Sequence, residues 1–235
     1  MAGWMIDNTD PARLEIAKRA KGLGITDSPD KPAHPLGKIA LADGRVVNAY
    51  VVHAVDPIIT DGTSVVMINR KNDPGKGKPA LPGGFIDPTK GGVESAVQAA
   101  AREAMEEVGV DLAKAKSSLI GTRNMDRPFD VRVAANDGLK EKYGISAGDI
   151  FMVSTQAVRF DVPDLARTRL VAGDDAAPGS ARRVRLDGLT RDQLGIPDHY
   201  DMIAAALPGA VGPRTRNPKL GAGHDMSSRS SDPIT

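Results

Sequence analysis

Cysteine is absent from the 235 residues, so neither disulfides nor thiolate metal sites are open to this chain. That absence suits a reducing compartment. Aromatic residues make up only 3%. The single Trp4 stands near the N-terminus, so a purine ring in a ligand has few stacking candidates: Tyr50, Phe85, Phe129, Tyr143, Phe151, Phe160 and Tyr200. Long apolar runs are missing too. The longest, residues 49–55, is interrupted by His53 and falls far short of the ~20 residues that a membrane helix needs. Asp7, Asp10 and Arg13 break up the N-terminus, which therefore has no signal-peptide core. A cytoplasmic enzyme is the expectation. An excess of one charge is also lacking. With 31 basic and 30 acidic residues the net charge is +1, which removes the electrostatic case for binding bulk nucleic acid or a membrane surface. What is present, 40% hydrophobic and 26% charged residues, suits a soluble globular protein with one sizeable core and an appendage.

Residues 1–35 are polar around a short amphipathic patch at Leu14, Ile16 and Ala17, and read as an N-terminal arm with one helix. Pro29, Pro32 and Pro35 mark a linker. Strands are expected at 38–41 and 46–55 around an Asp43-Gly44 turn, then at 64–70 and 80–81. A helix follows at about 93–108, then strands at 118–124 and 150–160. The polar stretch 129–146 between those two strands is expected to carry a short helix at 138–143. A short strand at 182–186 and a helix at 198–206, with Tyr200, Met202, Ile203 and Leu207 as its apolar positions, complete the pattern. Residues 212–235 read as a flexible tail rich in Pro, Arg, Ser and Gly. Strands around a central helix, with a second helix at the end, predict an α/β fold with helices on both faces of a mixed sheet.

The run 102–110 carries the chemistry. Glu103, Glu106 and Glu107 stand at i, i+3 and i+4, neighbours on a helix surface, where like charges cost ~0.2–0.5 kcal/mol per pair. Helix-forming alanines surround them, and an apolar stripe of Val93, Val97, Ala100, Ala104 and Val108 predicts a buried face with the glutamates at its edge. Gly109 is a natural helix stop. Such crowded carboxylates need a positive partner, and a divalent metal is the expected one. No pair among His34, His53, His199 and His224 has metal-site spacing.

From Glu94 through Arg102, Glu103, Glu106, Glu107 and Gly109, this segment resembles the Nudix hydrolase signature. One glycine is out of register: nine residues separate Gly84 from Glu94 where the family has five, an apparent insertion of four within 85–93. The resemblance implies an α/β/α sandwich with a mixed β-sheet, covering a domain at 36–211, and metal-dependent hydrolysis of a nucleoside diphosphate linked to another group. It implies Glu103, Glu106 and Glu107, with the Gly83 carbonyl, as ligands for one to three Mg²⁺ ions, or Mn²⁺ in their place. Arg102 would orient the glutamates, and Glu94, at the helix start, would support them. The general base is open between a glutamate of the signature and Asp174 or Asp175 on a later loop.

Three further stretches resemble the Nudix domains that cleave ADP-ribose, including those fused to nicotinamide-mononucleotide adenylyltransferases. They are Asp126-Arg127-Pro128-Phe129-Asp130, Ala172-Gly173-Asp174-Asp175-Ala176 and the segment 70–84. They imply that Arg70, Lys71 and Arg127 meet phosphates and that Phe129 lies against the base. The chain departs from that subgroup after Asp130, where an Arg-Gly-Arg segment is expected, and at 182–183, where arginines stand near an expected tryptophan. The implied substrate is ADP-ribose, cleaved to AMP and ribose 5-phosphate. NADH, a capped RNA end or a damaged nucleoside triphosphate are the enzymatic alternatives. A non-catalytic Nudix-fold ligand sensor is the remaining one, although the glutamates are intact and few residues follow Leu207 for a winged helix. The implied partner is a small nucleotide, and the family is often homodimeric.

Overall fold

A computed structural model describes residues 4–7, 9–22, 29–73, 75–122, 130–173 and 176–212. The strands are β1 (Trp4–Met5), β2 (Ala33–Ala40), β3 (Val46–Thr60), β4 (Ser64–Asn69), β5 (Pro79–Ala80), β6 (Gly84–Phe85), β7 (Pro88–Thr89), β8 (Gly92–Val93), β9 (Lys116–Thr122), β10 (Val131–Val133), β11 (Ile150–Asp161) and β12 (Arg182–Arg185). The helices are α1 (Ala12–Gly22), α2 (Ala96–Val108), α3 (Lys140–Tyr143) and α4 (Asp198–Ala206).

The two longest strands form the centre. β3 and β11 run parallel, in register from Ala49↔Ile150 to Thr60↔Asp161. Both are rich in β-branched and apolar residues, as strands buried on both faces must be. Antiparallel neighbours complete a mixed sheet: β2, β6 and β4 take successive stretches of β3, and β10 and β9 take successive stretches of β11. Successive strand residues point to opposite faces. Val55 and Ile59 pack on α2 with Val158 and Phe160, whereas Ile58 packs on α4 with Met67 and Leu186. Helices therefore cover both faces, as the expected α/β/α sandwich requires. No described helix is long and apolar enough to cross a membrane.

β3 and β4 meet at Thr60↔Val65. Farther along, β4 pairs with β5 and β3 pairs with β6. Residues 81–83 connect those two short strands and so span the mouth of the opening between β3 and β4.

Several expectations change. α2 starts at Ala96 rather than near residue 93, because Ser95 is its cap: Ser95 Oγ accepts the Gln98 N–H at 3.2 Å, and Gln98 Oε1 accepts the Ser95 N–H at 2.9 Å. Glu94 lies before the cap rather than at the helix start. Val93 belongs to β8, and Val97 is exposed; the buried stripe is Ala99, Ala100, Glu103, Ala104, Glu107 and Val108. Gly109 ends the helix at φ 69°, as expected. The arm is no loose appendage, since Ile16, Ala17 and Ala20 of α1 pack with Leu36, Val51 and Met152. The linker expected around Pro29, Pro32 and Pro35 is partly strand, because Ala33–Ala40 pairs with β3. β1 and β10 were not expected; they are two and three residues long, too short for a periodic signal. The tail beyond residue 212 lies outside the described residues.

Candidate active site

α2 turns two of its three glutamates inward. Glu103 and Glu107, one turn apart, are 8% and 6% exposed, while the Glu106 side chain is 57% exposed. Small residues make this approach feasible: Ala99, Ala100 and Ala104 let the helix sit close to the sheet. Gly83 and Gly84 lie beneath the carboxylates. A Cβ on Gly84 would overlap the Glu103 carboxylate, and one on Gly83 would overlap the Val55 carbonyl and the Asp56 carboxylate. The Gly83 N–H donates to Glu107 Oε2 at 2.8 Å.

Arg102 gathers the rest. Its guanidinium donates to Glu94 Oε1 at 2.6 Å, Glu103 Oε1 at 2.7 Å, Glu106 Oε2 at 3.0 Å and the Phe85 carbonyl at 2.9 Å. Burial opposes its charge, but the hydrogen bonds to Glu94 and the charge of Glu103 more than offset that and hold its pKa above the ordinary range. Burial raises the Glu103 carboxyl; Arg102 opposes the rise, and Glu106 and Asp87 add to it.

The four-residue insertion is absorbed locally. β7 and β8 form a small hairpin, closed where the Glu94 N–H donates to the Asp87 carbonyl at 3.1 Å and the Asp87 N–H donates to Glu94 Oε1 at 2.8 Å. The extra residues thus bulge outward, and Glu94 returns to its place beside Arg102. The Asp87 carboxylate accepts from Lys142 Nζ at 2.8 Å and from the Tyr143 hydroxyl at 3.0 Å, tying the hairpin to α3. Burial first, and then the Asp87 charge, push the Tyr143 phenol well above its ordinary range.

These elements border a cleft of about 440 Å³. Arg70 and Lys71 line it, with Gly83, Glu103, Glu106, Glu107 and Arg102. Burial lowers the Arg70 pKa, and the neighbouring Arg132 lowers it further, against Asp56, Asp130 and Glu107. Arg127, Phe129, Asp174 and Asp175 lie outside the described residues. Among the lining residues that sequence reasoning did not place in the site are Asp56, Asp87, Arg132, Lys142 and His199. Arg132 is clamped by Asp130 through two bonds of 2.6 and 2.8 Å, which fix its guanidinium at the cleft wall. Its only signal was an arginine two residues after Asp130, easily passed over beside the expected Arg-Gly-Arg.

Seven acidic side chains face five basic ones among the lining residues. An anionic diphosphate would meet net repulsion there unless cations joined it. The donors are carboxylate oxygens, which suit hard divalent ions. Among the described residues no three acidic or imidazole groups converge closely enough to hold an ion. The reason is visible: Arg102 engages Glu103 and Glu106, and Gly83 engages Glu107. The donor set fits a divalent cation in chemistry.

Residues 51–142 match the model of the NUDIX domain. No curated protein sequence matches the chain. Among solved structures, a bifunctional NMN adenylyltransferase/ADP-ribose pyrophosphatase from Francisella tularensis, complexed with AMP and a Mn ion, is 22% identical over 67% of this chain, with a TM-score of 0.45. The match spans 41% of that protein. The NUDIX domain of Shewanella oneidensis NrtR, complexed with ADP-ribose, is 19% identical over 66% of this chain and 86% of its own, with a TM-score of 0.43. A MutT/nudix family protein from Listeria innocua is 24% identical over 66% of this chain and 90% of its own, with a TM-score of 0.42.

Proposed function

We propose that this chain, whose residues 51–142 match the NUDIX domain, is a Nudix hydrolase that cleaves the diphosphate of a nucleoside diphosphate linked to another group, with ADP-ribose as substrate and AMP and ribose 5-phosphate as products. The observation that carries the reading is the pair of buried carboxylates, Glu103 and Glu107, facing a glycine floor in an acid-rich cleft. Glu103, Glu106, Glu107 and the Gly83 carbonyl would hold Mg²⁺, or Mn²⁺ in its place. Such ions, if bound there, would supply positive charge for the diphosphate and Lewis acidity for a water.

The chain's own residues do the rest. Arg102 keeps Glu103 and Glu106 in one orientation, and Glu94 holds Arg102. Arg70, Lys71 and Arg132 supply positive charge for phosphate oxygens, with Arg127 added by its motif. Phe85 and Tyr143, packed edge to face with ring centroids 5.7 Å apart, form an apolar wall for a base or ribose, and Phe129 joins them by its motif. Asp174 and Asp175 are the candidate bases on the loop. Gly173, which precedes them in the chain, donates its N–H to the Glu107 carbonyl at 2.9 Å. Glu103, with its raised carboxyl, is the candidate within the helix.

The test is a panel of ADP-ribose, NADH, a capped dinucleotide and nucleoside triphosphates, with Mg²⁺ or Mn²⁺, read by product chromatography. ADP-ribose should give AMP and ribose 5-phosphate with the highest kcat/KM. If no diphosphate is cleaved with either metal, the reading fails. Glu107→Gln keeps an acceptor for the Gly83 N–H, so it should stay folded. It should lose more than the ~10–100-fold typical of supporting residues around a metal; wild-type turnover would overturn the ligand assignment.

A further inference from the structure

A buried imidazole stands in the cleft wall and takes no part in the steps above. His199, near the start of α4, is 1% exposed. Its Nδ1 accepts the Leu81 N–H at 2.9 Å, and its Nε2 lies 3.2 Å from Asp56 Oδ2. A backbone N–H can only donate, so Nδ1 carries the lone pair, and Nε2 carries the hydrogen and donates to Asp56. Both ring nitrogens are committed, which leaves the ring a linker rather than a base.

What it links matters for the site. Leu81 is two residues before Gly83, whose N–H holds Glu107. Asp56 lies so close to Gly83 that a side chain there would overlap its carboxylate. Residues 81–83 run between β5 and β6 and belong to neither strand. One ring thus joins α4, β3 and the turn that meets Glu107.

We propose that His199 is a positioning residue: it holds the turn 81–83 and the Asp56 carboxylate in register, and through Gly83 it sets Glu107. The consequence for metal binding rests on the proposed function; the backbone restraint does not.

Asn and Gln separate its two bonds. Asn carries an oxygen near the place of Nδ1 and can keep the Leu81 bond. Gln carries an N–H donor near the place of Nε2 and can keep only the Asp56 bond. The full chain is prepared with His199→Asn, His199→Gln and His199→Ala. Hydrogen exchange of the Leu81 and Gly83 amides is measured without metal, then Mn²⁺ affinity by electron paramagnetic resonance, then kcat and KM. Leu81 exchange should stay slow in the Asn variant and quicken in the Gln and Ala variants. Mn²⁺ binding should weaken ~10–100-fold in the latter two, as for other residues that orient metal ligands. kcat should fall more than KM rises. Unchanged exchange in the Gln variant, or equal effects of Asn and Gln on exchange and Mn²⁺ affinity, would overturn the proposal. If exchange responds as expected but the wild type neither binds Mn²⁺ nor turns over, the proposed function falls and the positioning role stands.

Discussion

Replacing Arg102 with alanine strips the positive partner from a buried acidic cluster. The Glu94 and Glu103 side chains are 12% and 10% exposed, and Arg102 itself is 27% exposed. Breaking a buried pair by removing one partner costs ~3–5 kcal/mol, and the partial exposure of Arg102 lowers this to about 2–4 kcal/mol. The pair with the exposed Glu106 adds at most ~0.3–0.5 kcal/mol. For a domain of this size each kcal/mol shifts Tm by roughly 2–4 °C, so the variant should melt about 5–15 °C below wild type at neutral pH.

The loss should depend on pH. Without Arg102, the Glu103 carboxyl, already raised by burial, rises further. A carboxyl whose folded pKa exceeds its unfolded value binds its proton more tightly in the native state, so stability recovers as pH falls through the folded pKa toward the ordinary carboxylate range. Protonation also weakens the wild-type ion pairs in that range, and the two melting curves should converge. Millimolar Mn²⁺ should restore part of the loss at neutral pH, because a cation replaces the guanidinium. Scanning calorimetry of both proteins from pH 7.5 to 4.5 is the assay. Identical melting at neutral pH would refute the role of Arg102 as the charge that holds these carboxylates together.

Two further outcomes are expected. Gly84→Ala should push the Glu103 carboxylate off Arg102 and weaken Mn²⁺ binding about tenfold or more, whereas Gly173→Ala, whose Cβ would meet the Glu106 carbonyl of the backbone, should cost ~1–3 kcal/mol of stability; unchanged Mn²⁺ affinity in the first or unchanged melting in the second, by titration and calorimetry, would contradict the packing. His53 is lowered to about 4 by burial and by neighbouring His34, so it should remain neutral in an NMR titration down to pH 5. The unfolded chain then binds the extra proton, and up to about 3 kcal/mol of stability should be lost as pH falls from 6.5 toward 4; a His53 midpoint near 6.5 would rule this out.

Much of the fold was readable because its signals are local. The alternation around Asp43-Gly44, the apolar run of β4 and the alanine-rich α2 with its Gly109 stop depend on neighbours within a turn or a hairpin. β10 was not readable, for three residues carry no periodicity. Arg102 and the three glutamates were readable from spacing and resemblance together. The insertion was visible, but its resolution into a hairpin closed by Asp87 and Glu94 was not. His199 and Asp56 are 143 positions apart, and neither stands in a pattern that points to the other.

The sequence alone determined the chemistry available: no thiolates, little aromatic surface, three carboxylates on one helix beside an arginine, and a glycine turn upstream. Those follow from residue identity and helical spacing. Tertiary structure decided that Glu103 and Glu107 are buried while Glu106 is exposed, that Arg102 is shared by three glutamates, and that an imidazole from the last helix holds the turn beneath them. Burial and pairing arise where distant segments meet, and local periodicity carries no record of which segments those are.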